Sequence, residues 1–186
     1  MRRRRKARWL LGVLAVAVAL AACDRKEEQD AAVRDPAIPD ETVTDFATQE
    51  SDSGRVQWTL RAPHANRFNA RNVFVMDDPR IEFYDKLGNL QTTLTADKGE
   101  YLLDSHDMLA YGNVVAVSFK GEVLETDSLR YLNEADMIVS DSFVKLTRGR
   151  DVVTGIGLEC DHTLDSVVIK KDVHAVVREE DGKFNQ

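Results

Sequence analysis

The stretch Leu94-Thr-Ala-Asp97-Lys-Gly-Glu-Tyr101-Leu102 recurs thirty residues later as Leu124-Glu-Thr-Asp127-Ser-Leu-Arg-Tyr131-Leu132, with Leu, Asp, Tyr and Leu at the same places. At the same offset Val114 falls on Val144. A fainter third copy, shifted by 29, lays Leu124, Leu129 and Val144 on Val153, Leu158 and Val173; upstream, Leu60-Arg-Ala62 echoes Leu94-Thr-Ala96 at an offset of 34. Each unit is a strand, a glycine turn, a second strand, an Asp or Thr corner and a short third strand. One such unit cannot cover its own apolar face, so copies must stack. The expectation is a sandwich or solenoid-like roll with two open ends.

The rest of the chain beyond residue 42 agrees with this. Short runs such as Val56 to Leu60, Ile81 to Phe83, Leu90 to Leu94, Val114 to Val117, Val144 to Leu146 and Val173 to Val177 are β-branched or aromatic and alternate with near period two, the pattern of half-buried strands. Asp85 to Asn89, Lys120-Gly121, Arg148-Gly149 and Asp181-Gly182 punctuate them as hairpin turns. No window past the first 22 residues sustains a helical stripe, so the domain is all-β. The last strand, Val173 to Arg178, holds no glycine or proline. It is a candidate docking edge for another β-protein, with Val173, Ala175 and Val177 as its apolar contacts; an ordinary edge guarded by charges is the alternative.

The start of the chain says where this domain works. Six positive charges lie among the first eight residues, and Trp9 to Ala22 carries none, which is a signal-peptide profile. That apolar run is shorter than the roughly 20 residues a spanning helix needs. Leu20-Ala21-Ala22-Cys23 resembles a bacterial lipobox, making residues 1–22 a leader and Cys23 a lipidation site; an uncleaved signal anchor is the alternative. Acyl chains on Cys23 would hold the protein to a membrane. Asp24 beside it resembles the signal that retains lipoproteins in the inner membrane. Residues 23–42, polar and carrying Pro36 and Pro39, read as a disordered tether, 43–180 as the domain and 181–186 as a tail. Removing the leader takes six of 25 basic residues and none of 32 acidic ones, leaving 19 against 32, a net of −13. That sign disfavours a nucleic-acid partner.

Chemistry-bearing motifs do not emerge. His64, His106, His162 and His174 are scattered, with no metal-ligand spacing. There is no nucleophile elbow, and Gly155-Ile-Gly157 lacks the rest of a phosphate loop. The Asp104-Ser-His-Asp107 cluster reads as a solvated turn rather than a cation site. Cys160, without a partner once Cys23 is lipidated, reads as a small buried residue. No cofactor, metal or catalytic residue is called for. A hydrolase would need His106 or His162 in a cleft with a strongly shifted pKa. The many apolar residues are core, or, if two sheets splay, an apolar trough for acyl chains. Candidate trough residues are Phe83, Leu94, Val117, Phe119, Leu124, Leu129, Leu146 and Leu158. The facing of one strand is open: repeat alignment turns Val114 and Ala116 inward, whereas side-chain size favours Val115, Val117 and Phe119.

Pro79-Arg-Ile81-Glu-Phe-Tyr84-Asp85 with Gly88, then Leu94-Thr-Ala96, Tyr111-Gly112-Asn113-Val114, Leu124-Glu-Thr126-Asp127 with Leu129 and Tyr131, and Ser140-Asp141 with Val144 together resemble the LptC family of periplasmic lipopolysaccharide-transport proteins, over about residues 45–178. The resemblance implies an open, twisted antiparallel β-jellyroll. It implies a non-enzymatic role at the periplasmic face of the inner membrane: accepting lipopolysaccharide from an ABC exporter and passing it to an LptA-like bridge protein through strands aligned head to tail. Val173 to Arg178 would face the bridge protein; Val43 to Ala47 and Val56 to Leu60 would face the exporter's periplasmic domain. One departure is the apparent lipid anchor, where familiar members keep a transmembrane helix. A structural adaptor with a solid core, binding proteins by its edge strands, is the competing function.

Overall fold

Side chains of successive residues in an extended chain point to opposite faces, and the alternation of apolar and polar residues therefore buries one face of each strand. Strand β9, for example, alternates inward Ile138, Ser140, Val144 and Leu146 with outward neighbours. A computed structural model describes residues 37–177. The strands are β1 (Glu41–Asp52), β2 (Arg55–Phe68), β3 (Val73–Asp77), β4 (Arg80–Tyr84), β5 (Leu90–Thr95), β6 (Lys98–Leu102), β7 (Met108–Ser118), β8 (Val123–Leu132), β9 (Met137–Arg148), β10 (Asp151–Asp161) and β11 (Val167–Val176), with a short 3-10 turn at Asn69–Arg71. All pairings are antiparallel. The leader, Cys23, Asp24, most of the expected tether, Arg178 and the tail lie outside the described residues. Strand β1 starts at Glu41, two residues inside the expected tether.

The sheet forks, and the fork makes the roll. Along Trp58 to Arg61 strand β2 pairs with β4, and along His64 to Phe68 it pairs with β3. Strand β7 repeats the arrangement, pairing with β6 through Met108 to Tyr111 and with β5 through Val115 to Ser118. Strands β4 and β5 thus belong to a front layer and β3 and β6 to a back layer. The long strands β1, β2 and β7 to β11 cross from one layer to the other. This is an antiparallel β-jellyroll.

Each crossing is a corner; that of β2 is Ala62-Pro63, and the others carry aspartate, asparagine, serine or glycine. Asp45, Asp78, Asn113 and Asp172 have φ between 46° and 52°, the left-handed region that Asp and Asn tolerate best among residues with a Cβ. At Gly112 (φ +75°) an added Cβ would stand 2.8 Å from Asp97 Oδ2. Asp97 holds that corner: its N–H donates to the Gly112 carbonyl at 2.9 Å and its carboxylate accepts from Asn113 Nδ2 at 2.7 Å. Where the β8–β9 ladder breaks between Thr126 and Arg130, hydroxyls replace backbone partners. Thr126 donates to the Phe143 carbonyl at 2.8 Å, Ser140 donates to the Ser128 carbonyl at 2.7 Å, and Ser128 and Ser142 share a 2.7 Å bond. The repeated Asp97 and Asp127 are therefore corner residues of successive units.

The outer strands end the sheet. Among the described residues β1 pairs only with β2 and β11 only with β10. The expected last strand is the second half of β11, which bends at Asp172 and begins at Val167.

Candidate functional site

The interior is best followed along one row of cross-strand partners. Leu60 faces Ile81, Ile81 faces Leu94, Leu94 faces Ala116, Ala116 faces Leu124, Leu124 faces Leu146, Leu146 faces Val153 and Val153 faces Ala175. Residues opposite one another across a ladder share a face. The row is therefore one apolar track on the inner surface of the front layer. Leu60 to Leu146 are buried, Val153 is half-buried and Ala175 is exposed. The track runs from a sealed interior onto an uncovered edge.

Six of the eight expected trough residues lie inside: Phe83, Leu94, Leu124, Leu129, Leu146 and Leu158 are all at most 4% exposed. Val117 and Phe119 do not. They are 40% and 61% exposed, because the period-two alternation that buries Val114 and Ala116 turns them outward. The repeat alignment orients β7 correctly and side-chain size misleads. Ile156, another apolar residue without a place inside, is exposed at the β10 corner, where the register with β9 shifts between Ile156 and Leu158. Val173, Ala175 and Val177 are exposed at the free edge. Cys160 is buried, and burial pushes its thiol pKa up to about 12, which keeps it protonated and inert.

The two layers are closed on each other. Trp58 of the front layer meets Tyr101 of the back layer edge-on at 5.7 Å, and Phe83 meets Tyr131 at 4.9 Å. Polar ties join the strand tips on the side opposite the corners. Trp58 Nε1 donates to Asn133 Oδ1 at 3.1 Å, Asn133 Nδ2 donates to Glu50 Oε1 at 3.3 Å, and Glu50 Oε2 pairs with His106 Nδ1 at 2.9 Å. Farther along, Lys120 pairs with Asp165, and an Arg148 guanidinium N–H donates to the Leu164 carbonyl at 2.6 Å. A cavity of about 490 Å3 remains at these tips, lined by residues that include Val56, Phe83, Tyr131, Asn133 and His162. Inside, the Thr92 hydroxyl is buried without a hydrogen-bond partner among the described residues, an arrangement that costs about 1–3 kcal/mol.

His162 is the histidine whose environment bears on catalysis. Its ring stacks on Phe83 at 5.6 Å, and its Nδ1 lies 2.9 Å from Asp136 Oδ1. That hydrogen bond raises the His162 pKa above 6.5 and lowers that of Asp136 below 3.8. Asp136 also accepts from the Tyr131 hydroxyl at 3.0 Å, and burial raises the Tyr131 pKa. Among the described residues no Ser, Thr or Cys lines the cavity beside it, so the ring has no side-chain nucleophile to activate. His162 is a structural tie. The Asp104-Ser-His-Asp107 turn is likewise occupied: Asp104 accepts from Asn72 Nδ2 at 2.5 Å and Asp107 from the Asn133 N–H at 2.9 Å.

Leu164 has no place among the expected site residues, yet it is fully buried in the core. Its sequence signal is a single apolar residue within the polar turn Asp161-His-Thr-Leu164-Asp-Ser166.

Comparisons with known proteins fit this architecture. The family model described as lipopolysaccharide-assembly, LptC-related, matches residues 10–178. No curated protein matches the chain. Among solved structures it is similar to the crystal structure of LptH from Pseudomonas aeruginosa, titled as the LptA-homologous periplasmic component of the conserved lipopolysaccharide transport device. The TM-score is 0.52 at 13% identity, covering 70% of this chain and 100% of that one. At that identity the likeness speaks for the jellyroll fold.

Proposed function

Because the chain belongs to the LptC-related family of lipopolysaccharide-assembly proteins, we propose that it is the inner-membrane-tethered, periplasmic component that accepts lipopolysaccharide from an ABC exporter and hands it to an LptA-like bridge protein. It is a transport component, not an enzyme. The observation that carries this reading is the apolar track from Leu60 to Ala175, which joins the buried interior to the free edge at β11. Acyl chains that replace the cross-layer contacts would lie on that track and leave along it. The buried Thr92 hydroxyl, without a partner among the described residues, suits an ester or hydroxyl oxygen among those chains. The edge at β11, with Val173, Ala175 and Val177, would take the bridge protein by strand addition, and the edge at β1 the exporter's periplasmic domain. Lipidation of Cys23 and retention through Asp24 would hold the domain at the inner membrane.

Photocrosslinking amino acids at Phe83, Leu146 and Leu158 should capture lipopolysaccharide in cells, and the same probe at outward Val117 and Phe119 should not. Equal labelling on both faces would count against the track. The closed interior, with Trp58 against Tyr101 and Phe83 against Tyr131, favours a second function, an adaptor with a solid core. Its signature is protein capture at Val173 and Ala175 with no lipid adduct at any interior position.

A further inference from the structure

The turn between β10 and β11 is built unlike the other turns. Leu164 holds φ +63°, a left-handed conformation that costs a leucine roughly 1–2 kcal/mol, and its side chain is fully buried between the layers while Asp165 and Ser166 beside it are exposed. Strain at a residue persists only when its surroundings over-determine it. Here the turn is pre-formed by Asp161, whose carboxylate accepts from the N–H groups of Thr163 and Asp165, each at 3.1 Å, and of Ser166 at 3.2 Å. The turn is then fastened to other elements at three exposed or half-exposed points. Arg148, itself 3.0 Å from Glu122, donates to the Leu164 carbonyl at 2.6 Å; Lys120 pairs with Asp165; and His162 pairs with Asp136 at 2.9 Å.

The position of this turn matters as much as its build. Arg148 closes β9 two residues after Leu146, the last buried member of the apolar track. The next members, Val153 and Ala175, become progressively exposed. Leu164 therefore sits where the buried and open parts of the track meet.

We propose that the Asp161 to Ser166 turn is a lid on the interior, and that the slot filled by Leu164 is the passage through which an acyl chain moves between the buried track and the open face of β11. Leu164 occupies that slot in place of the ligand. The idea rests on the transport reading above and adds its point of control. A strained backbone lowers the cost of withdrawing the leucine, and the exposed ion pairs give a closed state that is held but shallow.

The test uses the full chain with a photocrosslinker at Leu146 and lipid A in detergent micelles as the probe. Lys120→Cys and Asp165→Cys, joined by a short bis-maleimide with a cleavable spacer, tie the lid shut. Labelling of Leu146 by lipid A should fall about tenfold with the tie in place, the response to closing one route worth about one decade in population. Cleaving the spacer should restore it, which also shows that the doubly substituted protein is folded. In a separate variant, Arg148→Ala should speed labelling about tenfold, the loss of one charge-assisted hydrogen bond. Labelling that is unchanged by the tie overturns the lid and leaves the transport reading standing. No labelling of any form, tied or free, overturns both.

Discussion

Among the described residues the outer edges of β1 and β11 both lack a pairing strand, but the two ends of the sheet differ in everything else. Strand β1 sends Phe46 into the core against Phe74 at 4.7 Å and packs Val43 partly against it. Strand β11 contains no buried residue: Val167 and Ile169 are half-buried, and from Lys170 to its end at Val176 every residue is exposed, as is Val177 after it. Strand β1 is thus an edge by its backbone alone, while β11 is an edge by its backbone and by its side chains. A partner at β1 need only complete a ladder. A partner at β11 must also cover an apolar face.

Four measurements can break or sharpen that contrast. The largest effect belongs to the aromatic end. Trp58→Ala removes a fully buried ring that spans the layers and hydrogen-bonds Asn133, and should cost about 3–5 kcal/mol in urea unfolding. A loss below about 1 kcal/mol would mean that the layers are not held together there. Next comes the plug at the other end. Leu164→Ala should cost about 2–3 kcal/mol, the lower part of the range for buried leucine. Leu164→Gly should be no worse, because glycine removes a left-handed strain of about 1 kcal/mol while losing one more carbon. A glycine variant much less stable than the alanine one would show that the turn is relaxed.

The third measurement is pH. His162, with its pKa raised by Asp136, contributes stability that is fully present below about 6.5 and is lost as pH rises through its folded value. Asp136, with its pKa lowered, contributes above about 3.8 and loses that contribution as pH falls through its folded value. The gap in urea midpoint between the parent and His162→Gln should therefore be widest between those limits and close at alkaline pH. A gap that stays constant into the alkaline range would remove charge from the account. The smallest effect belongs to the open edge. Val173→Lys should change stability by less than about 0.5 kcal/mol, yet it should abolish capture of an LptA-like bridge protein at β11.

How much of this was written in the sequence depends on what each residue answers to. Asp97 and Asp127 announced the corners because a bend in a strand demands residues that tolerate φ above zero or cap a broken ladder, and such residues are few. The facing of β7 was legible from the thirty-residue repeat, which carries the register of Val114 and Val144 together. It was illegible from side-chain size, because Phe119 has no local reason to be outside; only the position of the second layer puts it there. The closure of the interior was hidden for the same reason. Period-two alternation marks a face as apolar but does not say whether tryptophan and tyrosine from another layer, 43 residues apart in Trp58 and Tyr101, will fill the space above it. Leu164 was visible as an oddity, a lone leucine among turn residues, but the turn that buries it is held by Arg148 from the end of β9 and Lys120 from the turn after β7.

The row of corners has a consequence for size. One repeat of thirty residues, from Asp97 to Asp127, crosses the molecule twice and so lengthens it by two strands, roughly 10 Å. Every strand added this way meets its neighbour with the same bend and the same inner face. Nothing in the architecture fixes where such a series should stop, so the number of units acts as a ruler. Gaining or losing one would change how far the domain reaches, while leaving both end strands and the surface between them intact.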